Sequence, residues 1–204
     1  MASSCAEKFV ICPTFYTTDL LLDRLFGNRP ENYWRELGEN LPVEVDFFWT
    51  GEQVCSQTYS RDNLAFIADQ FKRLPILWDN YPVNDGEKNS QFLRLKPFTD
   101  RPGWLNQYTA GHFANPMNQA CLSLLPLSTL SKSYGAQVKQ LNQDWQQAAM
   151  QLCPDFALNL WEDCDTFQYR GLDQLTPEER SQLKERYQDS ASVYAREVCE
   201  WLNG

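Results

Sequence analysis

The sequence of 204 residues has no excess of basic side chains, no long apolar segment and almost no histidine. Its formal net charge of −9 argues against binding to duplex nucleic acid or to an anionic membrane surface, because both need a basic face. No apolar run approaches the roughly 18 residues of a membrane-spanning helix, and the N-terminal segment MASSCAEKFV lacks the apolar core of a secretory signal. We therefore expect neither a nucleic-acid partner nor a membrane partner.

The cysteines lack the spacing of a metal or disulfide site. They are scattered along the chain without a CxxC pair, at Cys5, Cys12, Cys55, Cys121, Cys153, Cys164 and Cys199. An odd, dispersed count is typical of reduced thiols inside a cell rather than of a disulfide framework. A zinc site would need several of these thiols beside His112, and no metal-ligand spacing brings them together. The pattern predicts a cytoplasmic protein with no metal site, and we expect no cofactor.

Apolar side chains make up 43% of the sequence and aromatic side chains 14%, which is enough for a sizeable core. Four short apolar runs each end in a cluster of polar and aromatic residues. The runs are KFVICPTFY (8–16), VEVDFFWTG (43–51), PILWDNYPVND (75–85) and GHFANPMNQ (111–119). Because they are mostly continuous rather than alternating, they indicate strands that are buried on both faces.

Helical segments lie between several of these strands. NYWRELGEN (32–40) is a short candidate, and SRDNLAFIADQFKRL (60–74) is a stronger one that Ser60 can cap. Residues 86–111 contain prolines and glycines that indicate a long loop with at most a short helix. Strands that alternate with helices predict a parallel sheet. A complete (β/α)₈ barrel takes about 31 residues per unit, so the chain has room for about four units, or half a TIM barrel.

From Gln137 onwards the pattern is helical only. TPEERSQLKERY opens one helix with Thr176 as its cap and Glu179 completing a capping box. Two apolar stripes predict packed faces, and their members are Val138, Leu141, Trp145, Ala149 and Leu152, then Tyr194, Val198, Trp201 and Leu202. The acidic run WEDCD (161–165) is expected on a solvated surface. We thus expect a half-barrel at 1–136 and a helical extension at 137–204.

The polar clusters fall where the strands end. In parallel α/β folds, ligands bind at the carboxyl ends of the strands, where the loops converge on one face. Aromatic, amide and carboxylate side chains together suit a sugar, because a pyranose ring offers apolar faces to aromatics and hydroxyls to Asp and Asn. The residues alone leave a second interpretation open, in which PILWDNYPVND is a capped turn whose Asp79 and Asn80 bond local backbone.

The motifs CPTFY, WTG, WDNYPVND and ANPMNQ, in this order and at these intervals, resemble the second half of the catalytic domain of glycoside hydrolase family 84. That family comprises β-N-acetylglucosaminidases and includes protein O-GlcNAcase. The resemblance runs from about Phe9 to Leu130, and WDNYPVND is its most specific part. It implies a glycosidase whose substrates are glycans or glycoproteins that contain N-acetylglucosamine.

The resemblance also implies roles for single residues. Tyr16 matches a tyrosine beside the acetamide group of the substrate, and Thr50 and Trp78 match walls of the acetamide pocket. Asn80 matches an asparagine near the reacting centre. Asp85 and Asn115 match residues that bind sugar hydroxyls. Cys12 falls at a pocket-lining position, whereas His112 is interpreted as structural; Asp79 is left between a structural and a sugar-binding role.

The catalytic residues of such enzymes are two adjacent aspartates, and this sequence contains no Asp-Asp dipeptide. Family members use the acetamide of the substrate as nucleophile, and the aspartates orient it and act as general acid and base. We therefore expect no catalytic residue in this chain and no activity from it alone. Three functions stay open: part of a β-N-acetylglucosaminidase, a non-catalytic sugar-binding or regulatory relic, and a helical interaction module. We also expect an open half-barrel to self-associate, bind a complementary half or fold poorly alone.

Overall fold

The computed structural model describes residues 10–11, 27–188 and 190–204. These residues form two compact units. One, here called the sheet unit, contains the described residues up to Asn80 together with Gly103–Ala114. The other, here called the helical unit, contains Tyr81–Pro102 and Asn115–Gly204. The boundary expected between residues 136 and 137 stays a prediction.

The sheet unit contains four parallel strands, as the sequence predicts. They are β1 (Val10–Ile11), β2 (Asp46–Trp49), β3 (Ile76–Asp79) and β4 (Gly111–Ala114), and they pair in the order β1-β2-β3-β4. Along the β3–β4 ladder, Trp78 lies beside Phe113 and Asp79 beside Ala114. Consecutive parallel strands that are direct neighbours are the arrangement expected for part of a (β/α)₈ barrel.

Helix α1 (Tyr33–Asn40) and helix α2 (Arg61–Phe71) connect the strands, and a 3₁₀ helix (Gly103–Gln107) precedes β4. Ser60 caps α2 as predicted, since its side chain accepts a hydrogen bond of 3.2 Å from the backbone N–H of Asn63. Phe71 of α2 stacks on Phe47 of β2 with ring centroids 4.6 Å apart. Helix α1 approaches α2 closely at Gly38, where an added Cβ would lie 2.3 Å from the carbonyl oxygen of Gln70.

The fourth strand is less buried than its apolar sequence predicts. Phe113 of β4 is 56% exposed, whereas Leu77 of β3 is fully buried. β4 is one of the two edge strands of the described sheet, so Phe113 has a neighbouring strand on one side within the described residues. Burial on both faces is therefore correct for β3 and wrong for β4.

The helical unit contains seven α-helices in its described residues. They are α3 (Gly86–Asn89), α4 (Ala120–Leu127), α5 (Leu130–Ser133), α6 (Val138–Leu152), α7 (Ala157–Tyr169), α8 (Pro177–Tyr187) and α9 (Val193–Asn203), with a 3₁₀ helix at Leu172–Gln174. Its core includes Trp145, Phe167 and Trp201. The predicted capping box of α8 is present, with Thr176 and Glu179 bonding each other's backbone N–H groups. None of the helices in the described ranges is long and apolar enough to cross a bilayer.

Two expectations for the helices need correction. The acidic run 161–165 is not wholly solvated, because Asp163 is buried and accepts hydrogen bonds of 2.8 Å from both Tyr187 and Arg186. These partners come from α8 and replace water around the carboxylate. The apolar stripe of α6 is buried only at its centre: Val138 and Leu152, at the two ends, are 56% and 40% exposed.

Candidate sugar-binding site

Strand β3 ends in a hydrogen-bonded chain of side chains within the sheet unit. The indole Nε1 of Trp78 donates to Oδ1 of Asn80 at 2.9 Å, and Nδ2 of Asn80 donates to the carbonyl of Val54 at 2.6 Å. The Trp78 ring meets Phe48 edge to face at 5.1 Å. Asn80 therefore fixes both the indole of Trp78 and the loop after β2, and the half-buried Trp78 ring is a candidate wall for a ligand.

The turn after β2 depends on a glycine next to Thr50. Gly51 has φ +94°, a region that residues with a Cβ rarely adopt, and an added Cβ would lie 2.4 Å from Oγ of Ser56. The preceding Trp49 is buried and its Nε1 donates to Asn63 Oδ1 at 3.0 Å. The half-buried Thr50 thus lies between the hydrogen-bonded Trp49 and the closely packed Gly51.

Asp79 and His112 form a buried pair on the face of the sheet opposite to Trp78. His112 Nε2 lies 2.9 Å from Asp79 Oδ2, and the Asp79 side chain is fully buried. The strand register puts both on the face that also carries Trp49, which packs edge to face against Phe71 of α2 at 6.1 Å. This geometry supports the structural interpretation of both residues, since a group enclosed between sheet and helices cannot meet a ligand without rearrangement.

The second half of WDNYPVND lies in the helical unit. The hydroxyl of Tyr81 donates to the carbonyl of Lys96 at 2.6 Å, and burial raises the pKa of this phenol far above its ordinary value. The Tyr81–Pro82 peptide is cis. Pro82, Val83 and Asn84 are buried, and Asp85 is the first exposed residue of the segment. Asp85 immediately precedes α3 and does not cap it with its side chain, so the carboxylate is available to solvent or to a ligand.

Asn84 connects this segment to the motif NPMNQ. Its Oδ1 accepts a hydrogen bond of 2.9 Å from the backbone N–H of Asn118, and its Nδ2 donates to Gln119 Oε1 at 2.8 Å. The same Nδ2 donates to the carbonyl of Phe92 at 3.0 Å. Asn115, the first residue of NPMNQ, is half-buried. The sequence places Asn84 in the polar cluster without a role, because its partners lie 34 and 35 positions away.

Tyr16 and Cys12 lie outside the described residues. Among the residues that the structure describes, no group of three or more His, Cys, Asp and Glu side chains is placed to hold a metal ion. The polar groups that the geometry offers to a ligand at the predicted positions are therefore amides, a carboxylate, a threonine and an indole.

The sequence profile of the β-N-acetylglucosaminidase family matches residues 2–162. The chain belongs to this family. The match confirms the resemblance to glycoside hydrolase family 84 that CPTFY, WTG, WDNYPVND and ANPMNQ indicate. It also extends beyond Leu130, into helix α7 of the helical unit.

The chain is similar to two protein O-GlcNAcases in sequence and to an O-GlcNAc hydrolase in structure. Protein O-GlcNAcase of Mus musculus and that of Rattus norvegicus are each 27% identical to it over 138 residues. That alignment covers 68% of this chain and 14% of each relative, so the chain spans about a seventh of their length. A solved structure of a Thermobaculum terrenum O-GlcNAc hydrolase mutant matches with a TM-score of 0.66 and 29% identity, over 95% of this chain and 47% of that one.

Membership of a β-N-acetylglucosaminidase family and the parallel strand order together identify the strand–helix region. It is part of a TIM barrel followed by a helical tail, as the sequence predicts. The chain is thus related to O-GlcNAcase-like hydrolases over most of its length, in both sequence and fold.

Proposed function

We propose that this chain supplies N-acetylglucosamine-binding residues of a β-N-acetylglucosaminidase that acts on glycans or glycoproteins. The observation that carries the proposal is the segment WDNYPVND, which lies inside the family match and holds Trp78 through Asn80. An indole fixed in this way suits an apolar sugar face or an acetamide methyl group, because no side-chain rotation is lost when the ligand binds.

The acetamide group of the sugar is assigned to Thr50 and Trp78, together with Tyr16. The rigid turn at Gly51 and the hydrogen-bonded indole support the first two assignments. Asn80 is assigned a place near the reacting centre, and its hydrogen bonds to Trp78 and Val54 hold its side chain in one orientation.

The sugar hydroxyls are assigned to Asp85 and Asn115. The exposed Asp85 carboxylate can accept from two adjacent hydroxyls, and the Asn115 amide can both donate and accept. The reaction follows the family pattern of retaining, substrate-assisted cleavage, in which the acetamide oxygen attacks the anomeric carbon. Its aspartate pair is not encoded in these 204 residues, so the acid and base would come from another segment or another chain.

The absent Asp-Asp dipeptide also favours a second candidate function, a non-catalytic sugar-binding or regulatory protein. The two candidates share the sugar site and differ in turnover. The exposed Phe113 on an edge strand of the described sheet supports a complementary half-barrel or a second copy as partner for catalysis.

The binding test is calorimetric titration of the chain with N-acetylglucosamine, with glucosamine as the ligand that lacks the acetyl group. We expect N-acetylglucosamine to bind more tightly, and Asp85→Ala to weaken it by at least about tenfold, because the hydroxyls lose a charged acceptor. Glu87→Ala is the matched control, since Glu87 is an exposed carboxylate two positions away with no assigned role. Equal affinity of the Asp85→Ala variant and the parent chain would show that the hydroxyl assignment is wrong.

Turnover separates the two candidate functions. We expect no release of a chromophore from an N-acetylglucosaminide by residues 1–204 alone, and release once a segment with the aspartate pair is joined or co-expressed. Binding without turnover in either format would favour the non-catalytic candidate. Turnover by the chain alone that is lost in Asp79→Asn or Asp85→Asn would make these carboxylates the catalysts and overturn the assignment.

A further inference from the structure

Asn84 has a polar side chain that is buried inside the helical unit. It is 1% exposed, and it sits directly before the exposed Asp85. Burying an amide is unfavourable unless its groups are hydrogen-bonded. The three hydrogen bonds of Asn84, with Phe92, Gln119 and Asn118, meet that requirement. Because hydrogen bonds depend on direction, they also fix the orientation of the groups that they join.

Two of these bonds cross from one loop to another. The loop that follows Tyr81 carries Asp85, and the loop that follows β4 carries Asn115. Hydrogen bonds join Asn84 to Asn118 and Gln119, so they tie the first loop, directly before Asp85, to the second loop, three and four positions after Asn115. Both loops belong to the helical unit.

Each loop is also attached to the rest of the helical unit. The backbone N–H of Met117 donates to Ser123 Oγ at 2.9 Å, and Ser123 Oγ donates to the carbonyl of Gln119 at 2.8 Å, which joins the second loop to α4. The first loop is attached through Tyr81 and Lys96. Asn84 therefore links two loops that are each held by further hydrogen bonds within the helical unit.

We propose that Asn84 is a positioning residue that sets the distance between Asp85 and Asn115 for sugar binding. It acts through these two residues and does not touch the ligand. This inference rests on the proposed function, and it adds a determinant of affinity that the sugar-contacting residues do not include.

The first test needs no ligand and uses amide hydrogen exchange by NMR in the whole chain. In Asn84→Ala, the N–H of Asn118 loses its acceptor, and we expect its exchange to be at least about tenfold faster. Thr129→Ala is the matched control: Thr129 is fully buried in the same unit and also bonds two backbone groups, those of Phe98 and Pro126. Unchanged protection of Asn118 in Asn84→Ala, or equal loss in both variants, would overturn the inference.

The second test is a mutant cycle on the affinity for N-acetylglucosamine. Asn84→Ala should weaken binding by about tenfold in the parent chain, within the range for residues that share a network. In a chain that already carries Asp85→Ala and Asn115→Ala, it should change the residual affinity by less than about twofold. Equal losses in both backgrounds would show that Asn84 acts only through general stability. Absence of sugar binding by the parent would overturn the proposed function, while amide exchange would still decide whether Asn84 joins the loops.

Discussion

Glu197 of helix α9 should have a measurable effect on stability because it caps a different helix. Its two carboxylate oxygens accept hydrogen bonds from the backbone N–H groups of Cys121 and Leu122, at 3.0 and 2.8 Å. These are the second and third residues of α4, whose own N-cap residue, Gln119, makes no side-chain bond to the helix. The last helix of the chain thus supplies the cap that the loop after β4 lacks.

The expected loss follows from the type and number of these bonds. Replacing a good N-cap residue by Ala costs about 0.5–2 kcal/mol, and the favourable interaction of an anion with the helix dipole adds about 0.3–1 kcal/mol. Cys121 is half-buried and Leu122 fully buried, so the cost of the freed N–H groups lies between that of two exposed and that of two enclosed bonds. We expect Glu197→Ala to lower the free energy of unfolding by about 2 kcal/mol, or roughly 4–8 °C in Tm for a chain of this size.

The assay is urea unfolding of the whole chain followed by circular dichroism and tryptophan fluorescence. Glu200→Ala is the control, because Glu200 lies three positions further along α9, is exposed and faces Arg196 at 3.8 Å in a surface pair worth at most about 1 kcal/mol. Glu197→Gln should fall between the two, since it keeps one acceptor oxygen and loses the charge. A loss in Glu197→Ala no larger than in Glu200→Ala would refute the capping role.

Three further outcomes follow from single groups. Gly38→Ala should lower the free energy of unfolding of the sheet unit by about 1–3 kcal/mol in urea, because the added Cβ would overlap the backbone of α2 and this cost exceeds the gain of up to about 1 kcal/mol in helix propensity. Gly135→Ala is the control and should be neutral or stabilising, because no atom of the described residues lies within contact distance of an added Cβ there. Hydrogen bonds from Arg170, then from the Thr176 backbone, lower the pKa of Glu179 to about 2. Its contribution to stability is therefore complete above its ordinary pKa of 4.5 and is lost as the pH falls through about 2. The Glu179→Gln variant should lack this pH-dependent contribution in acid unfolding, and an acid unfolding profile identical to that of the parent chain would contradict the prediction. A thiol reagent at neutral pH should modify the exposed Cys55 quickly and Cys164 only on unfolding, because Cys164 is buried and burial raises the pKa of its thiol to about 12. Equal modification rates of the two thiols in the folded chain would contradict this prediction.

Local signals in the sequence predicted many of the elements. Ser60 and Thr176 cap the helices that they were expected to cap, because capping depends on residues three positions apart. The four strands and their parallel arrangement were predicted from apolar runs at intervals that fit strand–helix units. The family was predicted from ordered motifs, of which WDNYPVND is the longest, and the family match confirms it.

Burial at particular positions could not be predicted in the same way. Periodicity identifies an apolar face of α6 but does not say how far along the helix neighbouring elements extend, and for this reason Val138 and Leu152 are exposed. An acidic run gives no sign that Asp163 will meet Tyr187 and Arg186, which lie more than 20 positions away.

The sequence by itself thus determined the family, the order of strands and helices, and which polar residues follow each strand. Tertiary structure alone decided what those residues do there. It pairs Asp79 with His112 across 33 positions, on the helix-facing side of the sheet, and gives Asn84 its partners across 34 and 35 positions. The physical reason is that a side chain's nearest neighbours in a parallel fold come from the next strand or loop. A hydrogen bond can therefore be assigned only once strand register and the path of the chain between elements are known.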